Sequence, residues 1–135
     1  MFKTLEDGVA VSPQITADDV RAAASLGYTL IVCNRPDAEA EAQPSMAEIE
    51  AAAQAHGLSF LALPFAAGGP DAEQVAAMGD ALRAPGKLLA YCRSGTRSAT
   101  LWALARAREG KDADGLIEAA RAAGYDLEGL RARLG

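Results

Sequence analysis

The sequence predicts a three-layer α/β fold in which helices cover both faces of a central, mainly parallel sheet of four to five strands. Apolar runs alternate with helical patterns over roughly the first hundred residues. The run Tyr28–Cys33 is apolar throughout its centre, as in strands that are buried on both faces. After Ser98 the pattern is helical to the end. This alternation favours parallel strands joined by right-handed crossovers, followed by a helical C-terminus.

Apolar runs and capping residues set the order of the elements. The runs predicted to be strands are Val9–Val11, Tyr28–Cys33, Leu58–Phe65 and Lys87–Tyr91. The helices between them are expected to begin after Thr16, Ser45 and Asp71, because these side chains can accept hydrogen bonds from free first-turn N–H groups. Ser98 is the predicted N-cap of the next helix, Asp112 or Asp114 opens another, and Asp126 opens a short last one.

Length, composition and charge limit the function classes. The chain has 135 residues, half of them apolar, and residues 1–135 are expected to form one domain. The formal net charge is −5 and no basic stripe is present, so nucleic-acid binding is not expected. No apolar run is long enough to span a membrane and the N-terminal residues form no signal region, so a cytoplasmic protein is expected. Two cysteines and one histidine cannot supply a structural zinc site, and no cofactor is expected.

The strongest functional signal is the segment Tyr91–Ser98, which reads Tyr-Cys-Arg-Ser-Gly-Thr-Arg-Ser. It places Cys92 where a strand ends and a helix is about to begin. A short turn before a helix can point several main-chain N–H groups at one spot, and the first helical turn carries partial positive charge. Such a nest favours a bound anion and also favours a thiolate over a thiol. Cys92 is therefore the predicted nucleophile.

The remaining residues of the loop are assigned by their chemistry. Arg97 follows Cys92 after four residues and offers a planar fork of donors, so it is predicted to be catalytic. Gly95 permits a positive φ or the close approach of a ligand. The Ser98 hydroxyl can hydrogen-bond the Cys92 sulfur as well as cap the helix. The residues predicted to bind the anion are Arg93, Ser94, Gly95, Thr96, Ser98 and Arg35.

Several residues have two readings. Arg93 either attracts an anionic donor or is a solvated arginine, and Arg35 either lines the mouth of the site or pairs with Asp37 in a turn. Cys33 is either a resolving thiol for the nucleophile or a core residue, and the core reading is favoured. The acidic run Asp37–Glu41 is predicted to be solvated surface. Asp71 is expected to cap a helix rather than to donate a proton.

The sequence resembles two known kinds of protein. The cysteine loop is similar to the active loop of single-domain rhodaneses, which are sulfurtransferases, whereas the layout resembles a compact dual-specificity phosphatase. Both traits meet in the phosphatase-like domain of the beta-lactamase-hydrolase-like protein family. The chain resembles that domain over nearly its whole length, most specifically at Ala90–Leu104 and also at Pro13–Thr16 and Asn34–Asp37. The resemblance implies a protein-tyrosine-phosphatase-like fold and either sulfur transfer or hydrolysis.

Three departures from the phosphatase signature favour sulfur transfer. Tyr91 replaces the signature histidine, four rather than five residues separate Cys92 from Arg97, and the loop at 65–70 carries no acid. The expected function is therefore a rhodanese-type sulfurtransferase with a Cys92 persulfide, which takes sulfur from an anionic or persulfide substrate and passes it to a thiol acceptor. The resemblance also implies a persulfide-oxidising enzyme as a partner. The alternatives are a phosphatase-like hydrolase with a phosphocysteine and a non-catalytic anion-binding module.

Overall fold

The computed structural model describes residues 2–135 and contains one five-stranded sheet with helices on both faces. The strands are β1 (Lys3–Glu6), β2 (Val9–Ser12), β3 (Tyr28–Cys33), β4 (Ser59–Ala62) and β5 (Lys87–Tyr91). The helices are α1 (Ala17–Ser25), α2 (Met46–Ala55), α3 (Ala72–Arg83), α4 (Thr96–Arg108), α5 (Ala113–Ala122) and, after a 3₁₀ turn at Glu128–Leu130, α6 (Arg131–Leu134). In residues 2–135 no helix has the length and apolar character needed to cross a bilayer.

The sheet brings the ends of its three central strands to one edge. Its strand order is β1-β2-β5-β3-β4, with β1 antiparallel to β2 and every other pair parallel. Ser12 pairs with Tyr91, and Tyr91 pairs with Cys33, so the last residues of β2, β5 and β3 are level. The predicted three-layer α/β fold with a mainly parallel sheet is confirmed, and so is the helical C-terminus. Ligands bind outside the carboxyl ends of strands in such sheets, which is where Cys92 lies.

The first strand, β1, was not predicted from the sequence. It forms a hairpin with β2 through a turn at Gly8, whose φ is +80°. Its only buried side chain is Leu5, so it lacks the apolar run that marks the other strands. The predicted strand Leu58–Phe65 is also too long. Regular structure ends at Ala62 because Pro64 has no N–H for a ladder bond.

Two apolar cores lie on opposite faces of the sheet. One face packs Val11, Val32 and Ala90 against α3, α4, α5 and α6. The other packs Ala10, Ile31, Cys33, Leu89 and Tyr91 against α1 and α2. The alternation follows from the period of two along each strand. Helix α4 therefore lies on the first face of the sheet, and the side chains of Cys33 and Tyr91 lie on the second.

Most of the predicted helix starts are confirmed. Thr16 and Asp71 both form capping boxes, the first with Asp19 and the second with Gln74. Ser45 accepts a hydrogen bond from the main-chain N–H of Glu48 at the start of α2. At the start of α5 the cap is Asp112 rather than Asp114. These caps fix where each helix leaves the sheet, so the loops at the functional edge are anchored at both ends.

Candidate active site

Cys92 lies immediately after β5, in the turn that leads into α4. Its side chain is 1% exposed and belongs to neither apolar core. Its main-chain N–H donates to the carbonyl of Ser12 at 3.3 Å, so the turn continues the pairing of β5 with β2 for one further residue. The Gly95 N–H donates to the Cys92 sulfur at 3.0 Å. The thiol therefore sits among polar main-chain groups, as the sequence predicted for a nucleophile.

Several main-chain N–H groups of the turn have no hydrogen-bond acceptor. Within residues 2–135, no acceptor lies in hydrogen-bond range of the N–H groups of Arg93, Ser94, Arg97 and Ser98. The Thr96 N–H makes only a long contact of 3.4 Å with the Ser94 hydroxyl. Free N–H groups at the start of a 13-residue helix create local positive potential. These unpaired N–H groups are therefore available to an anion at the turn.

Gly95, not Ser98, is the residue that begins α4. Gly95 has a φ of +100°, and the helix starts at Thr96, so the predicted N-cap at Ser98 is wrong. The left-handed conformation lets the chain turn three residues earlier than capping by the Ser98 side chain would require. Ser98 instead occupies the first helical turn, fully buried, and its hydroxyl has no partner within residues 2–135. The predicted hydrogen bond from Ser98 to the Cys92 sulfur is not present.

Tyr125, in the segment after α5, packs against the cysteine loop. Its hydroxyl donates to the carbonyl of Ser94 at 3.0 Å. A Cβ atom added at Gly95 would overlap that hydroxyl and lie 2.7 Å from the ring carbon that carries it. Partial burial raises the pKa of the Tyr125 phenol, and the charge of the nearby Cys92 sulfur raises it further. Tyr125 thus forms one wall of the site, which the sequence analysis missed.

Arg97 forms a bidentate ion pair with Glu39, a residue of the loop after β3. Its Nη1 donates to Glu39 Oε2 and its Nη2 donates to Oε1, both at 2.8 Å. Nη1 also donates to the carbonyl of Phe65 at 3.1 Å. Hydrogen bonding to Arg97 lowers the pKa of the Glu39 carboxyl to about 2, and the same bonds raise the pKa of Arg97. Glu39 lies in the acidic run that was predicted to be only solvated surface, and that prediction is wrong for this residue.

Arg35 contacts Arg97 through Glu39. Its side chain is 5% exposed, and its Nε donates to Glu39 Oε1 at 3.0 Å while its Nη1 donates to Gln14 Oε1 at 3.0 Å. The pairing with Asp37 that was one of its two predicted roles is therefore replaced by a pairing with Glu39. Asp37 accepts from the N–H of Met46 instead. Direct anion binding by Arg35 stays a prediction.

Three buried polar side chains surround the turn. The atoms Ser12 Oγ, Asn34 Oδ1 and Ser98 Oγ are buried without a partner within residues 2–135. Ser12 and Asn34 end or follow β2 and β3, and the Asn34 N–H donates to the carbonyl of Tyr91 at 2.8 Å. Buried polar groups are stabilised when they are hydrogen-bonded. Their position at the sheet edge gives the surroundings of Cys92 a polar character that the apolar cores lack.

The other predicted anion-binding residues lie on the outer side of the turn. Arg93 and Ser94 are exposed, and the carbonyl of Arg93 accepts from the Gln14 N–H at 3.2 Å. The Ser94 hydroxyl lies 3.2 Å from the Thr96 hydroxyl and is bonded to it. The expectation that Arg93 points outward is confirmed, but whether it or the two hydroxyls bind a ligand stays a prediction.

Two residues have the structural roles that the sequence analysis favoured. Asp71 Oδ1 accepts from the Gln74 N–H at 2.8 Å, and its side chain is engaged as the cap of α3. Cys33 is buried in the core opposite α4, where its thiol donates to the carbonyl of Arg35 at 3.3 Å. Burial raises the pKa of the Cys33 thiol and that of the neighbouring Tyr91 phenol. Both cysteines are free.

Together these residues form a cysteine site whose donors are suited to an anionic group. A thiol at the base of the turn faces main-chain N–H groups, and an arginine fork closes the side formed by the loops after β3 and β4. Donors fixed in this way stabilise charge that develops on a transferring group. Within residues 2–135 no cluster of three or more histidine, cysteine or acidic side chains is arranged to hold a metal ion.

Comparisons with known proteins agree with this arrangement. The family model described as "Beta-lactamase hydrolase-like protein, phosphatase-like domain" matches residues 1–109. A beta-lactamase hydrolase-like protein of Xylella fastidiosa (strain Temecula1 / ATCC 700964) is 31% identical over 125 residues, covering 91% of this chain. A protein of the same name from Agrobacterium fabrum (strain C58 / ATCC 33970) is 28% identical over 110 residues, covering 79% of this chain. The chain spans 29% and 25% of the length of these two relatives.

Solved structures share the whole architecture. The crystal structure of a "putative phosphatase" from Neisseria meningitidis Z2491 is 39% identical, with a TM-score of 0.85 and coverage of 98% of this chain and 94% of that one. Two further neighbours are similar in fold only. Tk-PTP in its active form is 20% identical with a TM-score of 0.74, covering 98% of this chain and 92% of that one. Kinase associated phosphatase is 15% identical with a TM-score of 0.73, covering 98% and 89%.

Proposed function

Because the chain belongs to the phosphatase-like domain family of beta-lactamase hydrolase-like proteins, we propose that it hydrolyses phosphate esters through a phosphocysteine on Cys92. The observation that carries the proposal is the position of the Cys92 sulfur, which accepts the Gly95 N–H in a turn whose other main-chain N–H groups are largely unpaired. The similarity to the Neisseria structure over nearly the full length of both chains supports phosphatase-like chemistry over sulfur transfer as the first candidate.

The reaction needs two displacements at phosphorus. The Cys92 thiolate attacks phosphorus, an S–P bond forms, and the ester P–O bond breaks with its electron pair leaving on the departing oxygen. Main-chain N–H groups and Arg97 stabilise the charge on the phosphoryl oxygens in both steps. Water then attacks phosphorus, which breaks the S–P bond, releases inorganic phosphate and returns the thiolate.

The surroundings of the leaving group set the substrate class. The loop Phe65–Pro70 has no carboxylate, and Asp71 is engaged as a helix cap. A leaving group that needs little protonation, such as a phenolate, therefore suits this site best. Aryl phosphates are the expected substrates, and alkyl phosphates are expected to react slowly.

Sulfur transfer is the second candidate, and the same missing acid favours it. A sulfur atom passed between thiolates requires no proton on a leaving oxygen, and a turn with only four residues between Cys92 and Arg97 leaves less room than the longer phosphatase signature. In this case the Cys92 thiolate attacks the outer sulfur of thiosulfate or of a persulfide, and sulfite or the donor thiolate leaves. An acceptor thiolate then attacks the same sulfur and becomes a persulfide, and the Cys92 thiolate is the leaving group. A persulfide-oxidising partner would be the consumer of that product.

One trapping experiment separates the candidates. The protein is incubated with 4-nitrophenyl phosphate or with thiosulfate, quenched in acid, and digested for mass spectrometry of the Cys92 peptide. A phosphoryl adduct with release of inorganic phosphate supports the hydrolase, and an added sulfur supports the transferase. Cys92→Ser is the control for both, and Cys33→Ala tests for label on the second thiol. Phosphate release that survives in Cys92→Ser would refute the hydrolase, and a protein that forms neither adduct would be the non-catalytic anion-binding module.

A further inference from the structure

We propose that Glu39 is a positioning residue, which holds the guanidinium of Arg97 so that one pair of its N–H donors stays free for the oxyanion at Cys92. The inference rests on the proposed function and deepens it by adding a residue that touches neither the nucleophile nor the substrate. It starts from the hydrogen bonds of the Arg97 side chain and from the backbone that carries Glu39.

The donors of Arg97 are divided between two directions. A guanidinium has five N–H donors, one on Nε and two on each terminal nitrogen. Glu39 takes one donor from Nη1 and one from Nη2, and the carbonyl of Phe65 takes the second donor of Nη1. The Nε donor and the second Nη2 donor remain, and they point side by side along the other edge of the plane. That edge is a complete second fork, suited to two oxygens of one oxyanion.

The three side chains of Arg35, Glu39 and Arg97 together keep a positive charge. Glu39 Oε1 accepts from both Arg35 Nε and Arg97 Nη2, so one carboxylate bridges two arginines. Two positive charges and one negative charge give the three side chains a net charge of +1. Glu39 therefore restrains Arg97 without cancelling the positive charge that would attract a substrate.

The backbone before Glu39 is held in an uncommon conformation. Ala38 has a φ of +64°, and it is the only residue other than glycine with a positive φ within residues 2–135. Left-handed backbone is unfavourable for residues with a Cβ atom and persists where surrounding contacts enforce it. The contacts next to Ala38 are those of the Glu39 side chain with Arg97 and Arg35 and those of the Gln43 side chain with the main chain on either side of Ala38. The loop after β3 is thus held in a bend that carries the Glu39 carboxylate to Arg97.

Glu39 has a matched control in its own loop. Glu41 lies two residues further on, is exposed, and makes no hydrogen bond or ion pair with another residue in the range 2–135. Glu39→Gln and Glu41→Gln therefore remove the same charge from the same loop, and only the first removes a contact with Arg97. Ala38→Val is a variant that keeps every charge, because a β-branched residue resists positive φ and displaces the carboxylate that follows it.

Tungstate binding tests whether Glu39 positions Arg97 for an oxyanion or only occupies the donors of Arg97. Calorimetry is performed on the Cys92→Ser protein, in which no chemistry occurs. If Glu39 positions Arg97, Glu39→Gln and Ala38→Val bind tungstate about tenfold more weakly than the parent, whereas Glu41→Gln binds as the parent does. If Glu39 only blocks the arginine, its removal tightens binding, because a competing negative charge is gone. Equal or tighter binding by Glu39→Gln overturns the inference.

A second experiment measures the alkylation of Cys92 in the protein that retains this thiol. Cys92 is alkylated with iodoacetate, which is an anion, and with neutral iodoacetamide, and the two rates are compared by mapping the Cys92 peptide. The neutral reagent reports the reactivity of the thiol, so the ratio of the two rates reports the oxyanion fork. A fall in that ratio in Glu39→Gln but not in Glu41→Gln supports positioning, and an unchanged ratio contradicts it.

The failure of the proposed function has a different signature. A wild-type protein that releases no phosphate, while its Cys92→Ser form binds tungstate with the expected dependence on Glu39, refutes the hydrolase and retains the inference. If the Cys92→Ser protein binds no tungstate, both are overturned. Urea unfolding of each variant confirms that the comparison is made on folded protein.

Discussion

Replacing Gly95 with alanine is expected to damage the cysteine loop for two separable reasons. The first is the φ of +100°, since a residue with a Cβ atom pays about 1–2 kcal/mol in the left-handed region. The second is Tyr125, whose ring must move because a Cβ atom at Gly95 would lie 2.7 Å from its Cζ atom. That movement breaks the bond from the Tyr125 hydroxyl to the carbonyl of Ser94, which contributes about 1 kcal/mol.

Gly110 provides the matched control. It has a φ of +94°, and a Cβ atom there would meet nothing within 4 Å. Gly110→Ala should therefore cost only the conformational part, about 1–2 kcal/mol, and the reduced entropy of the unfolded chain affects both substitutions equally. Gly95→Ala should exceed it by at least about 1 kcal/mol, from the lost hydrogen bond alone.

Urea unfolding of four proteins measures the coupling. These are the wild type, Gly95→Ala, Tyr125→Ala and the double variant. Removing the tyrosine ring makes space for the new Cβ atom, so Gly95→Ala in the Tyr125→Ala background should cost about as much as Gly110→Ala in the wild type. A cost that is the same in both backgrounds, or a Gly95→Ala no worse than Gly110→Ala, would refute the packing of Tyr125 on this loop.

Three further outcomes are expected. Arg97 holds the pKa of the Glu39 carboxyl at about 2 instead of 4.5, so the contribution of this ion pair to stability is complete above pH 4.5 and is lost as the pH falls toward 2. The difference in unfolding free energy between wild type and Glu39→Gln should therefore shrink over that pH range. A difference that stays constant would contradict the ion pair. Glu6→Ala removes the acceptor of a buried indole N–H on α4 and should cost about 1–3 kcal/mol in urea unfolding, whereas Asp7→Ala should change stability by less than about 0.5 kcal/mol. Cys33→Ala should keep the wild-type rate with 4-nitrophenyl phosphate, since that thiol is buried in the core with α1 and α2 and donates to the carbonyl of Arg35, and a large loss would restore its role as a second reactive thiol.

The sequence was sufficient for the features that depend on neighbouring residues. The strand Lys87–Tyr91 has the predicted bounds, because its apolar run is ended by Pro85–Gly86 on one side and by a loop rich in turn residues on the other. The cap of α3 at Asp71 was predicted from the residues just after it. The place of Cys92 at the carboxyl end of a strand followed in the same way, so its position in a turn before a helix could be predicted without coordinates.

Contacts between distant parts of the chain account for what was missed. Glu39 is 58 residues from Arg97, and Tyr125 is 31 residues from Ser94. Nothing in an acidic, alanine-rich loop distinguishes Glu39 from Glu41, because the choice is made by the bend at Ala38 and by which carboxylate it brings to the arginines. The early start of α4 was missed for a related reason. Ser98 was predicted as the cap because its side chain can accept a hydrogen bond, whereas Gly95, three residues before it, starts the helix through its backbone conformation alone.

The turn around Cys92 is tied to a different part of the fold at nearly every residue. The main chain of Cys92 and Arg93 is bonded to the end of β2 and the residues just after it, and the carbonyl of Ser94 is bonded to the segment after α5. The side chain of Arg97 is bonded to the loops after β3 and β4. Donors that are fixed before a ligand arrives need no reorganisation when charge develops on it, which is where most electrostatic catalysis originates. A site built this way should bind an oxyanion with little structural change, and that property is required equally by phosphoryl transfer and by sulfur transfer. The scaffold therefore favours an anionic substrate in either case, and the chemistry of the leaving group distinguishes the two proposed reactions.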